Sequence, residues 1–142
     1  MVNLKLVVSE PKTRRAFQKE LDQAPLLGKK LGETLSGDSV GLHGYELQIT
    51  GGSDKEGFPM RMDMPGIARK RALLSGGVGF RPLRKGQRKR KSVRGNTISE
   101  SIVQVNAKVT KDGAKPIHEL WGVQLKEPKK KGEAAPATEE KK

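Results

Sequence analysis

Short alternating apolar segments, seventeen glycines and a single helix signal predict a mainly β protein. The expected form is a small β-barrel or a strongly curved antiparallel sheet of about six strands, with one short helix. Val2, Leu4, Leu6 and Val8 alternate with Asn3, Lys5 and Val7, the period of a half-buried strand. Glycines recur between such runs, where the chain has to turn. Hydrophobic residues make up 33 % of the 142-residue chain, below the roughly 45–50 % usual for globular domains. With one Trp, one Tyr and three Phe, the core is small and aliphatic.

Taken in order, residues 9–12 (SEPK) form a turn after the first strand, and Arg15–Leu21 returns as a second strand with Phe17 and Leu21 on one face. The spacing predicts the helix over Pro25–Leu35. Pro suits a first helical position, and Leu27, Leu31 and Leu35 recur every four residues. Gly28 and Gly32 each weaken that helix by roughly 1 kcal/mol relative to Ala. Tyr45, Leu47 and Ile49 make a third strand, followed by a tight glycine-flanked loop over Gly51–Pro59. Arg71–Ser75 and Val78–Arg81 read as short strands around a Gly76-Gly77 turn, and Lys91–Val93 as another. Ser101–Thr110 alternates most clearly, with Val103, Val105, Ala107 and Val109 on one face and Ile102, Gln104, Asn106 and Lys108 on the other. Asp112-Gly113 is a hairpin-type turn signal. Ile117, Leu120, Trp121 and Val123 are candidates to close the fold. From residue 126 the composition is charged with Pro, Gly and Ala, the signature of a disordered tail.

Charge is concentrated in one place. The net charge is +13, and residues 51–100 carry thirteen basic against four acidic residues, a net +9. Within that third, Arg69–Arg94 holds eleven basic residues and no acid. So much like charge in a small volume is tolerable when a polyanion neutralises it, and nucleic acid is the polyanion that fits. A solvated basic arm is the plain alternative. The apolar residues set among the charges (Leu73, Leu74, Val78, Phe80, Leu83, Val93) and the glycine punctuation argue instead for structured strands. Arg supplies planar paired donors for phosphate and Lys supplies mobile point charges. Phe58, Phe80 and Tyr45 are too few for a base-stacking platform, and Phe80 suits core packing. Neighbouring side chains on a strand point to opposite faces. The charges of Arg88–Arg94 therefore belong either to a loop between nucleic-acid helices or to an edge strand gripped from both sides.

Catalytic and metal chemistry find little support. The chain has no cysteine, hence no disulfide, thiolate nucleophile or cysteine-ligated metal. His43 and His118 lie far apart, and no serine sits in a Gly-x-Ser-x-Gly setting. The Gly51–Pro59 loop lacks the Lys-Ser/Thr ending of a phosphate-cradling loop. Asp54 and Asp63 would serve a magnesium-dependent nuclease, but such residues ordinarily cap turns. The chain reads as non-enzymatic, with no cofactor, metal or small-molecule substrate. No run of eighteen apolar residues marks a membrane span, and no secretory signal opens the chain. A cytoplasmic location is expected.

The segments Gly51–Met60 (GGSDKEGFPM), Leu73–Ser75 and Arg88–Gly95 (RKRKSVRG) resemble the small-subunit ribosomal protein six family of the eukaryotic and archaeal type. The resemblance extends from Leu4 to about Val123. It implies a β-barrel ribosomal protein over residues 1–125 that binds ribosomal RNA near the foot of the small subunit, beside neighbouring ribosomal proteins, followed by the charged tail over 126–142. Eukaryotic members continue into a long basic helix with phosphorylated serines. No serine follows Ser101 here, and the length and the segment from Gly79 to Val103 look like the archaeal form. The expected RNA-contacting residues are Lys55, Arg61, Arg69, Lys70, Arg71, Arg81, Arg84, Lys85, Arg88, Lys89, Arg90, Lys91 and Arg94. A general nucleic-acid or chromatin-type binder would share the basic stretch, and an RNA-processing enzyme using Asp54 and Asp63 is the third possibility.

Overall fold

The computed structural model describes residues 3–122. Seven strands form among them: β1 (Asn3–Glu10), β2 (Arg15–Asp22), β3 (Thr34–Ser36), β4 (Glu46–Asp54), β5 (Arg69–Leu74), β6 (Lys89–Arg94) and β7 (Ile102–Lys111). One short helix, α1 (Ile117–Trp121), follows. Five strands build one sheet in the order β2-β1-β7-β4-β3, and β5 pairs with β6 as a separate ribbon. The ladders do not close into a barrel; a curved open sheet is the form compatible with them. It is also not wholly antiparallel, because β1 runs parallel to β7, with Leu6 opposite Val105. Residues beyond 122, including Val123 and the charged tail, lie outside the described residues.

The alternation of β1 carries the core as expected, with Leu4, Leu6 and Val8 fully buried. Phe17 covers them from β2, and Leu47 and Ile49 from β4. Fully burying one such aliphatic side chain is worth about 1.5–3 kcal/mol, so the sheet rests on about a dozen modest contributions. On β7, Val105, Ala107 and Val109 face inward as the alternation predicts. Ile102 is buried too, although its parity assigns it to the other face. The register explains this: Ser53 pairs with Gln104 and Asp54 with Ile102, so Val103 is the extra residue of a bulge that turns Ile102 inward.

Three expected elements differ. Pro25–Leu35 is not a helix. Gly28 and Gly32 adopt φ of 78° and 92°, left-handed values that end a right-handed helix. The Leu31 N–H donates to the Asn96 carbonyl at 2.9 Å and the Gly32 N–H to the Ile49 carbonyl at 2.8 Å. Long-range partners thus outcompete local ones, and the stripe is broken: Leu26, Leu31 and Leu35 are buried while Leu27 is exposed. The helix that does form holds Ile117, Leu120 and Trp121, which pack on the core. The chain after Asp112-Gly113 therefore leads to α1 and not to a returning strand. Val78–Arg81 is not a strand either. Gly77 and Gly79 have φ of 89° and 90°, and β5 pairs across the whole intervening loop with β6.

The glycine-rich loop over Gly51–Pro59 is shorter than expected, because β4 continues through Gly51 and Gly52 to Asp54. A Cβ on Gly52 would lie 2.7 Å from the Gln104 carbonyl oxygen and 2.9 Å from the Met60 sulfur. The glycine is needed for this close approach. Gly52→Ala is expected to destabilise the protein by about 1–3 kcal/mol, the usual cost of overpacking, as read by thermal unfolding. An unchanged midpoint would mean the strand shifts freely. The true turn is Lys55–Gly57, closed by the Gly57 N–H donating to the Asp54 carbonyl at 2.8 Å.

Candidate nucleic-acid interface

The segment after this turn joins the two sheets. The Met60 N–H donates to the Gly52 carbonyl on β4 at 2.9 Å, while the Arg94 N–H donates to the Pro59 carbonyl at 2.9 Å and the Arg61 N–H to the Arg94 carbonyl at 3.0 Å. The β5–β6 ribbon is thereby suspended from the end of β4. Its register sets which side chains share a face: Arg69 stands opposite Arg94, Lys70 opposite Val93, Arg71 opposite Ser92, Ala72 opposite Lys91, Leu73 opposite Arg90 and Leu74 opposite Lys89. One face carries Arg69, Arg71, Arg90 and Arg94; the other carries Lys70, Lys89 and Lys91 around the apolar trio Ala72, Leu74 and Val93. Phe80 buries itself against Leu74 and Val93, with Met64 alongside, forming a second small core. Of the two forms expected for this segment, the strand is the one adopted, with Arg88 in the adjoining loop.

Arg69 opposite Arg94 places two like charges side by side, which is unfavourable by itself. Asp54 resolves it. Its carboxylate, fully buried, accepts from Arg69 Nη2 at 2.6 Å and from Arg94 Nε at 2.9 Å, both on Oδ2. The Lys55 N–H donates to Oδ1 at 2.7 Å. Burial opposes the Asp54 charge more than any other single influence, yet the bonds from Arg69, Arg94 and the Lys55 N–H together hold the carboxyl below its ordinary range. Glu56 accepts from Arg69 Nη1 at 2.6 Å, and that bond lowers its carboxyl as well. The Arg69 guanidinium lies over the Phe58 ring, 4.4 Å from its centre. Arg94 Nη1 also donates to the Ile67 carbonyl at 2.7 Å. The turn at the end of β4 thus clamps one arginine from each ribbon strand.

Arg61 is a third arginine engaged by partners within the protein. It donates through Nε and Nη2 to Asp63 at 2.9 and 2.7 Å, and through Nη1 to the Val78 carbonyl at 2.9 Å. The bond from Arg61 lowers the Asp63 carboxyl. The structure therefore divides the thirteen expected contact residues. Arg61, Arg69 and Arg94 are engaged within the protein. Lys55, Lys70, Arg71, Arg81, Arg84, Lys85, Arg88, Lys89, Arg90 and Lys91 are exposed and make no ion pair among the described residues. Asp54 and Asp63 hold separate arginines and form no shared carboxylate site. His43 bonds Asp38 at 3.1 Å, and His118 lies beside Glu119.

A β protein bearing a cationic ribbon with no acid of its own has the electrostatic build of a polyanion-binding module. Residues 4–122 match the family described as Ribosomal protein S6e. The chain belongs to that family. It is 54 % identical over 124 residues to the small ribosomal subunit protein eS6 of Methanocaldococcus jannaschii, covering 87 % of this chain and 95 % of the relative. Over 124 residues it is 53 % identical to the protein of the same name from Archaeoglobus fulgidus, with 84 % and 96 % covered. The counterpart from Methanocella arvoryzae is 47 % identical over 140 residues, with 96 % and 99 % covered.

Proposed function

We propose that this chain is a structural constituent of the small ribosomal subunit, in the cytoplasm, and that it holds ribosomal RNA beside neighbouring ribosomal proteins through the exposed cations of the β5–β6 ribbon and its loop. The observation that carries this reading is the nine exposed Lys and Arg side chains, without ion-pair partners among the described residues, held on a ribbon clamped to the sheet and on its loop. Side chains read the deep groove of an RNA helix poorly, so recognition goes through phosphates and shape. A two-faced cationic ribbon suits that task, with arginines toward one RNA surface and lysines toward another. Arg61, Arg69 and Arg94 position the ribbon in place of gripping RNA. The role is structural and not catalytic, and the folded unit ends near residue 125, with the charged segment from 126 outside it.

Sucrose-gradient fractionation of cell extract tests this. The protein is expected with small subunits, and it should leave them as salt rises. Sedimentation with DNA in their place would support a chromatin-type binder and contradict the proposal.

A further inference from the structure

The loop between β5 and β6 presents an apolar side chain in the middle of its charges. Leu83 is 94 % exposed, well beyond the next most exposed large hydrophobic residue, Met62 at 61 %. An isolated exposed leucine is ordinary on a protein surface, but the chain around this one is fixed on both sides. Before it, Phe80 is plugged into the ribbon's small core, and Arg61 holds the Val78 carbonyl. Pro82 then restricts the backbone immediately ahead of it. After it, the side-chain oxygen of Gln87 accepts the Leu83 N–H at 2.9 Å. The Gln87 N–H donates to the Arg84 carbonyl at 3.1 Å, across a turn with Gly86 at φ 78°. Leu83 is thus held outward on a closed turn, with Arg81, Arg84 and Lys85 beside it.

We infer that Leu83 is an apolar wedge that enters an unstacked step or bulge of RNA while the flanking cations take the phosphates on either side. The inference rests on the RNA-binding reading above. The surroundings of Leu83 favour RNA over a protein partner. No acidic residue occurs between Asp63 and Glu100, so whatever covers Leu83 must bring dense negative charge on both sides of an apolar contact. An opened nucleic-acid step offers both, and Leu is among the side chains that fill such steps. Irregular, splayed positions are also where proteins engage RNA bases.

The test uses the full chain and purified small-subunit ribosomal RNA as the probe, with affinity measured across a salt series. Leu83→Ala removes an exposed side chain and leaves the circular dichroism unchanged. It is expected to weaken binding about tenfold, the scale of returning a couple of buried methylene-sized groups to water, with the log–log salt slope unchanged because no phosphate contact is lost. Arg84→Ala, by contrast, should make the slope shallower by about 0.7–0.9. Leu83→Met should bind like the parent. If Leu83→Ala binds the RNA as tightly as a parent that itself binds with a steep slope, the wedge is wrong and the RNA reading stands. If the parent shows no salt-dependent binding, the RNA reading fails first. If Leu83→Ala keeps its affinity for naked RNA but enters small subunits less well, Leu83 faces a protein and the inference is overturned.

Discussion

Asp54→Asn is expected to loosen the β5–β6 ribbon and lower stability by on the order of 3 kcal/mol, the scale of breaking a buried ion pair by removing one partner. Asn keeps the size of the side chain and one acceptor, but Arg69 and Arg94 then face each other across the ribbon without a shared counter-ion. Glu56 still holds Arg69, so the larger loss falls on Arg94 and β6. RNA affinity should fall with it, because the exposed cations depend on that geometry. Hydrogen exchange resolved by segment is the measurement: amides of β5 and β6 should exchange faster while those of β1 and β7 keep their protection. Unchanged protection in the ribbon would show that the clamp is not what holds it.

The same group fixes the pH dependence. The Asp54 carboxyl is lowered in the folded protein from its ordinary value of 3.8. A depressed carboxyl contributes stability that is complete above the unfolded value and is lost as pH falls through the folded one. The ribbon should therefore be at full strength at neutral pH and fray below roughly pH 4, ahead of the sheet. Asp54→Asn should remove most of that acid dependence from the ribbon.

Changing Arg88, Arg90 and Lys91 together to Ala is expected to weaken association with ribosomal RNA on the order of a hundredfold, since several charge-assisted contacts vanish at once. Stability should move little, because exposed substitutions each stay within about 0.5 kcal/mol. Arg94→Ala should behave in the opposite way. Its side chain is only 12 % exposed and bonded to Asp54, so its removal costs folding before it costs binding. Circular dichroism and gradient sedimentation on one preparation of each variant separate the two effects. A triple variant that stays folded and still co-sediments like the parent would place the RNA grip elsewhere.

Much of this was legible in the residues. Four of the five main-sheet strands, β1, β2, β4 and β7, follow period-two patterns, whereas β3 lay hidden at the end of the expected helix; Phe80 suits packing because aromatics are scarce. Pro25–Leu35 misled because a leucine every four residues mimics a helical stripe, whereas two left-handed glycines and backbone bonds to Asn96 and Ile49 decided its course. Those partners are distant in sequence and leave no local mark. Asp54 misled in another way. In sequence it is an acid in a glycine turn, and its value appears only once the register sets Arg69 against Arg94. The signal available beforehand was indirect: an acid-free run of eleven cations that folds must draw counter-ions from its borders, and Asp54 and Glu56 stand just ahead of it. Composition could mark the thirteen cations but could not separate the three engaged by partners within the protein from the ten left free for an outside partner.

The most direct test of the central claim is the salt dependence of binding to small-subunit ribosomal RNA, compared between the parent and the Arg88, Arg90, Lys91→Ala variant. With about six phosphates neutralised, the parent's log–log slope should be roughly −4 to −5. Loss of three contacts should make the variant's slope shallower by about 2–3. A variant whose slope matches the parent's would contradict the assignment of these cations to the RNA backbone.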